Sequence, residues 1–465
     1  MPAQGRDPEA LITEMAGFRE HDVAWREGRT WSLVYPAGEA HEAVLKRAAS
    51  LFLSENGLNP LAFQSLKRME RDVVGMTADL LHGPASAVGT LTSGGTESLL
   101  LAVKAARDRA NRRRPEIVLP ETAHPAFDKA AHYFGVKLRL AKVGPDFRAD
   151  PRAMARLIGR NTVLVVGSAP QYPHGVVDPI PELAELAARR GVPFHVDACF
   201  GGFLLPFLER LGHPVPPWDF RVPGVTSISA DVHKYGYAPK GASVLLYRDM
   251  DHMKHQFFVT TRWSGGIYAS ATMPGSRPGA CIAGAWASMM ALGEAGYLAL
   301  AEQALDTAKR LRAGLEGLDG IEVLGAGDAT IVPWTTTDVD LYAVADQLAA
   351  KGWSVDRQQR PACIHCTVNA SNAPQIDAYL ADVRDAVAHV RAHPELATEG
   401  EAAMYGLAAR VPVRGLAEPA VRQALEQLYG TEGELDEGAP PAARKLLGWL
   451  HEAERVVKRF RGSPA

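Results

Sequence analysis

The chain has 465 residues, 47% hydrophobic and 22% charged, with a formal net charge of -3; that length exceeds what one core usually holds, and the charge excludes general affinity for nucleic acid or anionic membrane. Four scattered cysteines, Cys199, Cys281, Cys363 and Cys366, cannot build a disulfide framework. No run of about 18 uncharged apolar residues offers a membrane span, and the first residues mix Arg6, Asp7, Glu9 and Glu14 with no apolar core, so a cytoplasmic protein without a targeting peptide is expected.

In chain order, residues 1–84 form an N-terminal segment that holds Trp31, Tyr35, Asn59 and Phe63 before a helix over 65–80. Residues 85–290 alternate helix-like and strand-like patterns, the signature of a large α/β domain with a mainly parallel open sheet. Residues 89–96 read as a turn that opens a helix over 97–109, with Thr96 as a candidate cap. Strands are predicted at 116–119, 162–166, 193–196, 225–228 and 242–247, with a helix over 181–190. Arg112, Arg113 and Arg114 read as a solvated helix end. A long helical pattern over 280–318, broken near Gly293 and Gly296, bridges to a small α/β domain over 291–400. That domain has strands at 330–334 and 363–368 and helices at 341–350 and 376–392. Residues 401–465 read as a helical appendage. Cys363 and Cys366 have CxxC spacing but alternate along a strand with no second ligand pair, so no metal site is expected.

Chemistry-bearing residues recur at strand ends of the large domain. Gly94 and Gly95 let the backbone approach a ligand at a helix N-terminus, whose free N–H groups suit a phosphate. His124 follows one strand, Ser168 follows another, and Asp197 ends a third, where open α/β sheets bind ligands. His233 and Lys234 lie between two apolar strands, and shielding there is expected to lower the lysine pKa and make the amine nucleophilic. Neither GxGxxG nor GxxxxGK[ST] occurs in the glycine loop. A phosphate loop, a flat ring, a strand-end carboxylate and a lysine, in that order, match the needs of pyridoxal phosphate.

These segments resemble the fold-type I pyridoxal phosphate enzymes of the group II decarboxylase family, and within it the sphingosine-1-phosphate lyase branch. The stretches that carry the resemblance are Thr92 to Ser98, His124 to Lys129, His195 to Phe203, Ser229 to Gly241 and Gly275 to Gly279. It implies a seven-stranded, mainly parallel sheet and a homodimer with shared active sites. It makes Lys234 the Schiff-base lysine, Asp197 the partner of the pyridine nitrogen, and His124 and Cys199 the groups on the two ring faces. Gly94, Gly95, Thr96 and His233 are implied at the cofactor phosphate, Ser168 at the ring hydroxyl, and Gly275 and Ser276 at the site of a second subunit. Tyr35, Tyr268 and Lys240 match positions that face the substrate, with Tyr268 expected on a loop after Gly265 and Gly266. Asp231 stands where related decarboxylases often carry Asn. Ala62 replaces a histidine that helps the lyases hold a substrate phosphate. Carbon–carbon cleavage of a phosphorylated β-hydroxy amine is the implied reaction, and amino-acid decarboxylation is the alternative on the same scaffold.

Overall fold

The computed structural model describes residues 1–400 and, beyond them, 402–403, 422–423, 425–426 and 429. The expected helical appendage over 401–465 therefore lies almost wholly outside the described residues.

Seven strands make the main sheet: β1 Val88–Thr92, β2 Glu116–Pro120, β3 Lys137–Ala141, β4 Thr162–Ser168, β5 Phe194–Asp197, β6 Val225–Ala230 and β7 Ser243–Tyr247. Their order is β1-β7-β6-β5-β4-β2-β3, parallel except where β7 runs antiparallel to both β1 and β6. Every residue of β4 is buried, as a central strand covered on both faces requires. One face packs Phe194, Val196, Ile228 and Val244, and the other packs Leu99, Ile117, Phe127 and Val163. All five strands expected in this region are present.

Two strands were not legible. β1 was expected as a turn because its sequence, VGTLT, is short and begins beside a glycine. That glycine has a packing cause: a Cβ at Gly89 would sit 2.5 Å from the Leu245 carbonyl oxygen on β7. β3 alternates exposed Lys137 with half-buried Leu138 at the sheet edge, which dilutes its apolar signal.

β8 Phe258–Trp263 and β9 Gly266–Ser270 form a separate hairpin. The helical pattern that follows is a helix over Gly279–Glu316, interrupted at Gly293, where φ is 56°. A second sheet combines β10 Ile321–Val323, β11 Ile331–Thr336, β12 Asp356–Gln359 and β13 Ala362–Thr367, all antiparallel, in the order β10-β11-β13-β12. The helices Leu341–Ala350 and Ile376–Ala392 share its core with Trp334, Ile364 and Tyr379. Trp31 joins that core from near the start of the chain, its carbonyl accepting the Thr367 N–H at 2.7 Å.

Candidate active site

The site forms where β1, β5 and β6 end. After β1 the chain turns at Ser93 and Gly94 into the helix Gly95–Ala110, with Gly94 as N-cap at φ 152°. Gly94, and not Thr96, takes the cap position, at a positive φ that a glycine adopts without strain, and no side chain caps the helix there. A Cβ at Gly95 would meet both Asp231 carboxylate oxygens at 2.8 and 2.9 Å and Cys199 Sγ at 2.9 Å. A bare backbone is therefore required where the helix N-terminus faces β6. The cavity so enclosed measures about 320 Å³ and is lined by Gly94, Gly95, Thr96, His124, Cys199, Asp231, His233 and Lys234, among others. His124 is fixed by the Ala126 N–H, which donates to its Nδ1 at 3.1 Å.

Asp197 ends β5 beside Ser168 of β4 and accepts the Cys199 N–H at 3.1 Å. Neither Asp197 nor Ser168 is part of the cavity wall just named; both sit immediately behind it at the strand ends. The Cys199 thiol donates to Ser229 Oγ at 3.2 Å, and burial pushes its pKa well up. It is thus a neutral packing group. His195, one turn of strand away, is pinned between Ser227 and Ser229, and burial lowers its pKa to about 4.

Lys234 departs from expectation in its proton. Its Nζ lies 2.9 Å from Asp231 Oδ2, a partner three residues earlier. Burial lowers the lysine pKa most of any single cause, but Asp231, with Cys199 and Asp197 adding to it, outweighs burial, so the ammonium is held above its ordinary range and not below. The reverse holds for Asp231: burial raises its pKa, while Lys234 and then His233 bring the net shift down. The His233 imidazole, with Nε2 3.6 Å from Asp231, is kept neutral by burial at a pKa of about 4. Sequence reasoning left Asp231 outside the functional set. The i,i+3 spacing of an acid and a lysine in one short connection is the signal that marks it.

Outside the cavity wall, Lys240 donates to the His233 carbonyl at 3.0 Å and lies 4.9 Å from the centre of the Tyr35 ring. Burial and then the Lys234 charge lower its pKa to about 8. Tyr35 packs edge-on to Tyr235 at 5.1 Å, and burial raises its pKa. Tyr268 lies on strand β9 and not on a loop, because β8 and β9 pair across it. It does not group with Lys234: its hydroxyl is 2.9 Å from where a Cβ on Gly275 would stand. Ser276 accepts from Asn56 Nδ2 at 2.9 Å. Tyr268 meets Gly275, and neither they nor Ser276 line the cavity of their own chain, although Glu97 in its wall accepts the N–H of Met273 from the same loop.

Three buried polar atoms at these strand ends have no protein partner: Asp231 Oδ1, Ser168 Oγ and Thr122 Oγ1. Such atoms call for a partner, which a bound ligand or an ordered water supplies. A lysine amine, a ring-bearing wall and free helix N–H groups around such atoms define a pyridoxal phosphate-dependent enzyme on a fold-type I scaffold. The chain belongs to the pyridoxal-dependent decarboxylase family, whose conserved domain matches residues 33–332, and pyridoxal phosphate is its cofactor. It is similar to the sphingosine-1-phosphate lyase of Arabidopsis thaliana, at 45% identity across 92% of this chain and 81% of that one. Sphingosine-1-phosphate lyase 1 of Rattus norvegicus is 43% identical, over 93% and 77% of the two chains. The solved sphingosine-1-phosphate lyase of Burkholderia pseudomallei superposes with a TM-score of 0.84 at 36% identity, covering 93% of this chain and 97% of that one. Glutamate decarboxylase of Lactobacillus brevis, at 23% identity and a TM-score of 0.73, shares the fold. Among the described residues no helix is long and apolar enough to cross a membrane, and no cluster of metal-ligating side chains occurs.

Proposed function

We propose that the protein is a carbon–carbon lyase that cleaves a phosphorylated long-chain β-hydroxy amine, of the sphingosine 1-phosphate type, into an aldehyde and ethanolamine phosphate. One observation carries this reading: the solved sphingosine-1-phosphate lyase is 36% identical over 93% of the chain and the Arabidopsis thaliana lyase 45%, against 17–23% for the solved decarboxylases. Bound pyridoxal phosphate supplies the electron sink for the pair released when the Cα–Cβ bond breaks.

The chain's own groups do the rest. Lys234 Nζ is the covalent handle, and Asp197, at the end of β5, keeps the pyridine nitrogen protonated. With the cofactor bound, His124 and Cys199 would cover the two ring faces and Ser168 would meet the ring hydroxyl. The N–H groups of Gly95 and Thr96, the bare backbone of Gly94 and the His233 imidazole receive the phosphate. Tyr35 and Lys240 face the substrate, Lys240 as a cation for its phosphate and Tyr35 for the proton of the hydroxyl.

A homodimer completes the site in this reading, with Tyr268, Gly275 and Ser276 reaching the cavity of the partner. Support comes from their place outside the cavity wall of their own chain and from the surface around them. Leu53 and Leu61, on either side of the Asn56 that bonds Ser276, and Trp263 and Ile267, on the hairpin that carries Tyr268, are 75%, 78%, 60% and 78% exposed. Ala62, exposed in the same region, offers no charge to a substrate phosphate. The lost contact would cost about 1.5–3 kcal/mol, roughly ten- to a hundredfold in affinity.

The test is to incubate cofactor-loaded protein with sphingosine 1-phosphate and, separately, with a panel of amino acids. The expected result is aldehyde and ethanolamine phosphate in equal amounts from the first and no carbon dioxide from the second. Carbon dioxide without aldehyde would replace the lyase by an amino-acid decarboxylase.

A further inference from the structure

Glu97 has no part in the chemistry above, yet it is buried beside the cradle. Its two carboxylate oxygens hold two different loops. Oε2 accepts the Ser93 N–H at 2.6 Å, and Oε1 accepts the Met273 N–H at 2.7 Å. Ser93 begins the turn that presents Gly94 and Gly95. Met273 stands two and three residues before Gly275 and Ser276. Charge-assisted bonds of this length, shielded from water, are the stronger kind. An ionised carboxylate has only acceptors, so it suits two N–H donors, whereas an amide offers one acceptor oxygen.

The flanks of the second loop are also tied to β1. Gln256 Nε2 donates to the Ala271 carbonyl at 2.5 Å and to Thr90 Oγ1 at 3.0 Å. Arg277 pairs with both oxygens of Glu70 at 2.6 and 2.9 Å and donates to the Leu91 carbonyl at 3.3 Å. Of these ties, the one through Glu97 reaches the cradle itself. Ordering of the cradle by a bound phosphate thus bears, through one side chain, on the loop that carries Gly275 and Ser276.

We propose that Glu97 is a positioning residue that couples the cofactor cradle to the 271–277 loop, so that cofactor binding and the pairing of two chains strengthen each other. The inference rests on the shared-site dimer proposed above. Linkage makes the strengthening factor the same in both directions.

Sedimentation of the full chain over a range of concentrations, with and without saturating pyridoxal phosphate, measures that factor. In the wild type the dimer dissociation constant should fall by about tenfold on loading, a typical coupling. Glu97→Gln should still bind the cofactor and still pair at high concentration, but lose most of the factor. Met273→Pro, which deletes the second donor and leaves Glu97 in place, should lose it equally. A Glu97 that served stability alone would lower the melting temperature of both variants and leave the factor intact. A wild-type dimer whose factor is absent, or is unchanged in both variants, overturns the inference and spares the dimer. A loaded wild type that stays monomeric throughout overturns both.

Discussion

Two lysines six residues apart carry opposite electrostatic settings, and the difference lies in their partners. Lys234 has Asp231 at 2.9 Å, so its ammonium is retained despite burial. Lys240 has a carbonyl and an aromatic face but no carboxylate at contact distance, so burial and the Lys234 charge lower it to about 8. As a cation for a substrate phosphate, Lys240 is competent below that pH and neutral above it. In the reading proposed here, kcat/KM for sphingosine 1-phosphate should therefore fall as pH rises through the titration of Lys240, which burial holds below the ordinary lysine range, by roughly ten- to a hundredfold, the worth of a charge-assisted contact. Lys240→Arg, which stays charged across the accessible range, should remove that descent. A descent at the same pH in the arginine variant would assign the titration to another group. Residue identity made Lys234 and Lys240 legible in the sequence. Their pKa values were not, because they depend on which carboxylate the fold brings within a few ångströms.

At the scale of elements, β1, its turn and the helix Gly95–Ala110 act as one unit. The helix was legible from its Leu- and Ala-rich pattern and basic last turn, and the two glycines marked the cradle. β1 itself was not, since Gly89 is dictated by the close approach of β7, a contact some 150 residues away in sequence. Tyr268 was placed on a loop for a related reason. No residue of the hairpin β8–β9 is buried, so its sequence lacks the apolar alternation that identifies a strand. The unit's dependence on a bare backbone at Gly95 gives a direct test. Gly95→Ala forces a methyl to within 3 Å of Asp231 and Cys199, both buried and held. Overpacking of this kind costs about 1–3 kcal/mol. Borne by the cradle, it would weaken cofactor binding about five- to a hundredfold or more, measured by equilibrium dialysis of pyridoxal phosphate. Affinity equal to wild type would show that the cradle yields and that the glycine is not needed for the ligand.

For the molecule as a whole, the parallel sheet was readable because five of its strands are apolar runs separated by helical patterns. The way the second sheet docks was not, since it depends on single polar contacts between distant segments. One of them begins at Tyr235, the residue after Lys234. The Tyr235 hydroxyl is 2.6 Å from Thr330 Oγ1 and donates to the Val368 carbonyl at 2.6 Å, fastening the Lys234 connection to the ends of β11 and β13. Its ring meets Tyr35 and Phe200 edge-on at 5.1 and 5.0 Å, contacts that a phenylalanine would keep. Tyr235→Phe therefore isolates the hydroxyl. Its removal leaves a buried carbonyl and a buried threonine hydroxyl short of a partner, at a cost of about 1–3 kcal/mol. The urea unfolding midpoint should fall accordingly. The visible absorption of lysine-bound cofactor should persist but decay several-fold faster when the protein is diluted, because the lysine connection has lost its anchor on the second sheet. An unchanged midpoint together with an unchanged rate of cofactor loss would mean that Tyr235 contributes its ring and not its hydroxyl, and that other contacts, such as that of the Val177 N–H with Asp328, hold the two sheets.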